Sequence, residues 1–263
     1  MQANGEFEVG YNEFSDWTME EYQQMLGFLP PTSNAEYHYH TLDTSVINGP
    51  VDWRAQKKVN AVKNQGSCGS CWAFSAVSAA ESKHAIVSGQ LVQLSEQQLV
   101  DCSHNSNYGC NGGMYDRAWA DVQKQGGFMK SSDYPYTGKV GSCRFSASKV
   151  AAKVTGYHMV QRNSPDQLKA ALAKGPVSVG IAASSKAFQS YRSGIFNDAG
   201  CGTRLDHAVT AVGWGSEGGK EFFIVRNSWG AGWGESGYIR MAAVTSGSGV
   251  CGLYQYPAYP DTN

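Results

Sequence analysis

The run Gln65-Gly66-Ser67-Cys68-Gly69-Ser70-Cys71-Trp72 sets a glutamine, two glycines and two cysteines just ahead of an Ala/Ser-rich, helix-forming stretch. A cysteine there faces the positive end of the helix. Its free N–H groups and dipole favour thiolate and lower a thiol pKa from about 8.5 into a range of roughly 3.5 to 7.5. Such a sulfur is a nucleophile near neutral pH. The C-x-x-C spacing admits two other chemistries. A thioredoxin-like redox pair normally follows a strand in a chain with few other cysteines. Half of a zinc site needs a second ligand pair at close spacing, whereas Cys102 and Cys110 stand eight apart.

Thiolate attack on a carbonyl also requires a proton donor for the leaving group and N–H groups aimed at the oxyanion. Of the six histidines, His38 and His40 fall in a linker, and His84, His104 and His158 lack a flanking pattern that marks a buried polar site. His207 differs, because it follows Leu205-Asp206 and opens an apolar strand. Twenty residues on, Asn227-Ser228-Trp229-Gly230 closes the next strand. An asparagine oxygen there can accept from His207 and fix its tautomer, with Trp229 covering the bond from water. Alone, each is an ordinary strand or turn residue; the conjunction points to nucleophilic catalysis.

Elements able to position these groups are legible around them. Cys71–Ile86 reads as a helix, Ser95 with Gln98 opens a short one, and Met114–Lys124 ends at Gly126-Gly127. Ser164-Pro165-Asp166-Gln167 is a capping box with proline at the first helical position, and its helix must stop before Gly175-Pro176. Strand-rich runs at 177–181, 207–212, 221–225 and 237–241 follow, punctuated by glycines. The body is therefore α+β, with a helical first half and a sheet-rich second half.

With 263 residues, 41% hydrophobic and 16% charged, the chain suits one or two packed domains. Its 31 glycines exceed the usual ~7% and disfavour a helical bundle. A formal charge of −1 gives no basic excess for nucleic acid or an anionic membrane, and no apolar run approaches a membrane span. The charge is nonetheless segregated. Residues 1–46 hold eight acids (Glu6, Glu8, Glu13, Asp16, Glu20, Glu21, Glu36, Asp43) and no Lys or Arg, while the remainder carries +7. Phe7, Tyr11, Phe14, Trp17, Tyr22, Leu26, Phe28 and Leu29 make this segment too apolar for a solvated tail, so it is expected to dock on the rest. Leu29-Pro30-Pro31-Thr32-Ser33-Asn34 breaks the helix begun at Thr18, residues 30–50 read as an extended linker, and a boundary falls near 46–50. Seven cysteines fit three disulfides plus one working thiol in an oxidising or endolysosomal compartment, or seven reduced thiols in the cytosol.

Cys68-Gly69-Ser70-Cys71-Trp72 matches every position of a C-G-[SA]-C-[WY] motif, with His207 and Asn227 following 136 and 156 residues after Cys71. On these residues the chain resembles the papain-like cysteine proteases, cathepsin L-like branch. The resemblance covers nearly the whole chain. Val51-Asp52-Trp53-Arg54 is similar to the family's mature N-terminus, and Cys110-Asn111-Gly112-Gly113 to its substrate-binding loop. Gly213-Trp214-Gly215 is similar to a turn before the Asn-bearing strand, and Gly10-Tyr11-Asn12-Glu13-Phe14-Ser15-Asp16 to the G-x-N-x-F-x-D motif of family propeptides. The longer propeptide helices that precede this motif in the family are not among the 263 residues, so a truncated propeptide is expected.

The resemblance implies a papain-like two-domain fold: a partial inhibitory propeptide and linker over 1–46, then a mature peptidase over 47–263. The latter would pair a helical half, about 60–160, with an antiparallel β-barrel-like half, about 161–263, around the active-site cleft. It implies Cys71 as nucleophile, His207 as acid/base, Asn227 as its orienter, and Gln65 with the Cys71 N–H as oxyanion hole. It also implies substrate contacts from Gly112, Gly113, Met114, Tyr115, Gly180, Leu205, Asp206, Trp229 and Tyr256, and disulfides Cys68–Cys110, Cys102–Cys143 and Cys201–Cys251. The pocket for the residue second on the amino side of the cut bond (Met114, Tyr115, Gly180, Leu205, Tyr256) has no acid, so Leu, Val or Phe is expected there. Tyr256 either shortens it, favouring Leu or Val, or turns outward. No long insertion lies between Cys110 and Cys143, so endopeptidase action is expected rather than carboxydipeptidase action. Further implied are protein and peptide substrates, the propeptide as intramolecular inhibitor, cystatin-type inhibitors, a monomer, no metal or cofactor, and a lysosomal, vacuolar or secreted location. An inert binding homologue would be expected to have lost one of the three motif residues, and a peptide ligase would use the same acyl-enzyme. The charge split is expected to supply an electrostatic clasp that acid weakens.

Overall fold

Cys71–Ser88 is the longest helix, and its first ten residues, Cys71 to Ala80, are all apolar or small. It is accordingly interior, buried without interruption from Cys71 to Ser82, and stopped by Gly89 in the left-handed region at φ 78°. The computed structural model describes residues 2–3, 6–32 and 37–263, so Ser33, Asn34 and Glu36 of the readings above lie outside the described residues. Two further helices, Glu96–Cys102 and Tyr115–Gln125, pack beside the long one around a core of Trp72, Tyr115, Trp119 and Phe128. Ser95 caps the first through the Gln98 N–H at 3.0 Å, and Ser164 caps Pro165–Leu172 through the Gln167 N–H at 3.2 Å.

The second core lies against a sheet. Among the described residues that sheet has eleven strands. Its path runs Gln2–Ala3, Phe7–Val9, Tyr191–Phe196, Tyr238–Ala242, Lys220–Arg226, His207–Glu217, Val177–Ile181, Ala258–Thr262, Val154–Val160, Tyr39–His40, with Val51–Asp52 pairing on His207–Glu217. It is neither closed nor wholly antiparallel, which corrects the barrel-like expectation. Tyr238–Ala242 lies parallel to Tyr191–Phe196, and Tyr39–His40 parallel to Val154–Val160. Both ends of the path are strands from before residue 47, so the N-terminal segment covers the edges that closure would otherwise remove.

Two other readings change. Val154–Val160 lies within the stretch read as helical, yet pairs with Ala258–Thr262 in the large sheet. Gly213-Trp214-Gly215 is strand, not turn: a Cβ at Gly213 would sit 2.1 Å from the Val51 carbonyl oxygen, so glycine there admits a crossing strand. The reversal comes at Gly218-Gly219, with φ of 59° and 78°, the geometry of a two-residue hairpin.

Candidate active site

Cys71 begins the long helix and is fully buried. Its Sγ accepts the Ala208 N–H at 3.5 Å, so the sulfur lies against the first residues of strand His207–Glu217. His207 is bonded through Nε2 to Asn227 Oδ1 at 2.8 Å, which leaves Nδ1 without a partner. Trp229 lies over the imidazole with centroids 4.7 Å apart. Asn227 Oδ1 also accepts the Ser228 N–H at 2.8 Å, which holds the amide in place. Gln65 is buried, anchored through Oε1 by the Ser228 hydroxyl at 2.7 Å. Cys68–Cys110, Cys102–Cys143 and Cys201–Cys251 are disulfides, and Cys71 is the free cysteine.

The groove beside these groups is filled by the N-terminal segment. Met25 C=O accepts Gln65 Nε2 at 2.9 Å, and the Gly27 N–H donates to Cys71 Sγ at 3.3 Å. Gly113 N donates to Gly27 O at 2.9 Å, Leu29 N to Gly113 O at 3.0 Å, and Phe28 N to Asp206 O at 3.0 Å. The segment thus pairs through Phe28 in parallel with Gly113. Glycine is obligatory at this crossing, since a Cβ on Gly27 would lie 2.0 Å from Gly69 O, and one on Gly112 2.9 Å from Gly27 O.

Phe28 is 2% exposed, stacked on Tyr115 at 5.2 Å and tilted against Tyr256 at 5.7 Å, within the same apolar cluster as Met114 and Leu205. A Cβ on Gly180 would meet its ring at 2.5 Å. Met114, Tyr115, Gly180, Leu205 and Tyr256 thus gather around the Phe28 ring, with Tyr256 turned inward and buried.

Upstream, Asn12 reaches Gln189 O through Nδ2 at 2.8 Å and accepts the Phe14 N–H at 3.0 Å, while Gln189 Nε2 donates to Phe14 O at 3.0 Å. Phe14 and Tyr22 then pack edge-on against Trp229 at 5.4 and 5.5 Å. These are the roles of the Asn and Phe in the Gly10–Asp16 motif. The docking is chiefly apolar and through backbone. Among the described residues, Glu6 with Lys220 is the one ion pair between an acid of this segment and a base of the body, so the charge split is not a row of contacts. Tyr11, read as a docking group, is 92% exposed.

Burial works against the thiolate form while the cleft is covered. It pushes the Cys71 thiol up to about 12, against the opposing N–H groups of Ala208, Gly27 and Trp72, with the Asp206 charge adding to the rise. It lowers His207 to about 4, against the Asn227 bond. Both shifts favour the neutral forms of thiol and imidazole in the covered cleft. Sequence reasoning missed His158, which bonds Asp261 Oδ2 at 2.6 Å, because its partner lies 103 residues away.

The papain family cysteine protease domain matches residues 47–261. The chain is 46% identical over 264 residues to the probable cysteine protease RD21B of Arabidopsis thaliana, covering 98% of this chain and 56% of that protein. It is 42% identical over 258 residues to digestive cysteine proteinase 1 of Homarus americanus, covering 97% and 80%. Among solved structures, recombinant stem bromelain precursor superposes with a TM-score of 0.89 at 40% identity, covering 98% of this chain and 84% of that one. The ragweed pollen allergen Amb a 11 in its proform gives 0.89 at 36% identity, covering 99% and 83%. The chain thus spans little more than half of RD21B and most of the two precursor structures. With the cysteine, histidine and asparagine assembled in one buried site, the chain belongs to the papain family of cysteine proteases.

Proposed function

We propose that this chain is the zymogen of a cysteine endopeptidase, with residues 1–46 as its inhibitor, crossing the cleft at Met25–Leu29, and residues 47–263 forming the peptidase. The observation that carries this is the Gly27 N–H on the Cys71 sulfur. A substrate must present a carbonyl carbon to that atom, whereas this segment presents a donor, so it fills the cleft in an uncleavable orientation. The parallel pairing with Gly113 supports the same reading.

Once the segment leaves, water reaches Cys71 and His207, and the burial that keeps both neutral falls away. The helix N-terminus then favours thiolate and the Asn227 bond favours imidazolium. The thiolate attacks the carbonyl carbon, the oxyanion is held by Gln65 Nε2 and the Cys71 N–H, and His207 Nδ1 protonates the departing amine. Water, deprotonated by His207, then hydrolyses the thioester. The pocket holding Phe28 supports Phe, Leu or Val second on the amino side of the cut bond. Three disulfides favour an oxidising or endolysosomal compartment: lysosomal, vacuolar or extracellular.

Alkylation with mass mapping after acid treatment tests the assignment. One modified site at Cys71, with peptidase activity lost in parallel, is expected. Full activity after stoichiometric modification of Cys71 overturns it, and predominant transpeptidation with added amine overturns hydrolysis.

A further inference from the structure

The hydroxyl of Tyr136 touches both ends of the loop that joins Gln65 to Cys71. It donates to the Gln65 carbonyl oxygen at 2.7 Å and lies 2.8 Å from Ser70 Oγ. A carbonyl only accepts, so the one phenolic proton goes to Gln65 and the Ser70 hydroxyl donates to Tyr136. Burial raises Tyr136 to about 12, so its proton stays in place at neutral and acid pH. Ser70 breaks a local rule to make this contact. It stands at the N-cap of the long helix, where a serine ordinarily accepts an N–H of the first turn, yet its side chain caps nothing. The residue is fully buried, and its hydroxyl turns to Tyr136 instead.

The phenol is itself held in place. Its ring packs edge-on against Phe74, one turn into the long helix, with centroids 4.9 Å apart. The next residue is tied to helix Glu96–Cys102, because the Thr137 N–H donates to Gln97 Oε1 at 2.8 Å. On the other side of Gln65, the sheet-rich half grips the same residue. Gln65 N donates to Ser228 O at 2.9 Å, and the Ser228 hydroxyl donates to Gln65 Oε1 at 2.7 Å. Gln65 is therefore pinned from both halves, by Ser228 at its N–H and side chain and by Tyr136 at its carbonyl. Within the loop, Gly66 takes a left-handed φ of 62° and the Cys68–Cys110 disulfide fixes the middle, while Tyr136 ties the two ends.

We propose that Tyr136 is a positioning residue for the oxyanion hole: by tying Gln65 to Ser70, the neighbour of Cys71, its hydroxyl sets the spacing between the Gln65 Nε2 and Cys71 N–H donors. It acts through Gln65 and Ser70 and meets no reacting atom. Donors aimed at a developing oxyanion work because they are placed before the reaction begins, so a loosened loop weakens them without removing either. The inference rests on the reading of these two groups as the oxyanion donors of a cysteine peptidase.

Tyr136→Phe, in the enzyme processed from the full chain, removes the hydroxyl and keeps the ring. For a peptide amide with Phe second on the amino side of the cut bond, kcat should fall about tenfold while KM stays within about twofold, because the donors act on the transition state. Iodoacetamide displacement at the sulfur forms no oxyanion, so Cys71 should alkylate at the parent's rate. Ser70→Ala should lower kcat about threefold and add little in the Tyr136→Phe background, since the two hydroxyls form one chain. An unchanged kcat in Tyr136→Phe overturns the proposal. Alkylation slowed in step with kcat also overturns it, because the thiol rather than the oxyanion hole is then disturbed. Where Tyr136→Phe yields no folded enzyme, Ser70→Ala carries the test by the same comparison of kcat with alkylation. Failure of the peptidase reading shows separately, as a processed parent that cleaves no peptide although Cys71 alkylates.

Discussion

Gly27 donates its backbone N–H to the sulfur of Cys71 across 3.3 Å, so the group in contact with the candidate nucleophile is a donor rather than an electrophile. The same residue has no room for a side chain, because Gly69 O would lie 2.0 Å from its Cβ. Gly27 thus takes part in both cover and orientation.

Gly27→Ala should lift the segment from the cleft. Processing of the full chain at neutral pH is expected to quicken by about tenfold or more, since an overpacked backbone crossing cannot relax cheaply. Time courses on denaturing gels check this, and an unchanged rate contradicts the crossing geometry.

Alkylation of Cys71 should depend on cover. With the thiol raised to about 12 by burial, iodoacetamide at pH 7 should modify the intact chain about 100-fold more slowly than the processed enzyme. Equal rates would mean that the segment does not occupy the cleft in solution.

His207 supplies a pH dependence with a definite sign. Burial lowers it from 6.5 to about 4 in the covered cleft, so an open cleft binds the proton more readily. The covered state keeps its full stability above pH ~6.5 and loses it progressively down to pH ~4, by about 3 kcal/mol in all. Exchange protection of residues 22–29 in the Cys71→Ser chain should fall over that window, and much less so with His207→Leu.

Phe28→Ala removes a buried ring from the pocket and should weaken docking of the segment by about 3 kcal/mol. Measured as the processing rate at pH 6, the variant should mature faster than the parent. A matching change on the other wall, Gly180→Ala, places a methyl 2.5 Å from that ring. It should lower kcat/KM for substrates with Phe second on the amino side of the cut bond by about tenfold, and less for Val.

How much was legible follows from range. The Cys71 motif, the helix N-caps Ser95 and Ser164 and the strands at 177–181 and 220–226 are written within a few residues of chain, where backbone propensity and hydrogen bonding act. His207 and Asn227 were singled out from their strands, but their 2.8 Å bond depends on two neighbouring strands in one register. The strand at Gly213-Trp214-Gly215 was misread because its glycine serves a crossing chain, Val51–Asp52, more than 160 residues earlier.

Local sequence by itself determined the nucleophile's place at a helix start, the α+β character and a docked, aromatic-rich N-terminal segment. Tertiary structure alone decided that this segment caps both sheet edges, that its amide rather than a carbonyl meets Cys71, and that burial there works against the charged forms of the cysteine and histidine. The physical reason is that a group's protonation state and strand order depend on what excludes water from it, and here the excluding atoms come from parts of the chain distant in sequence.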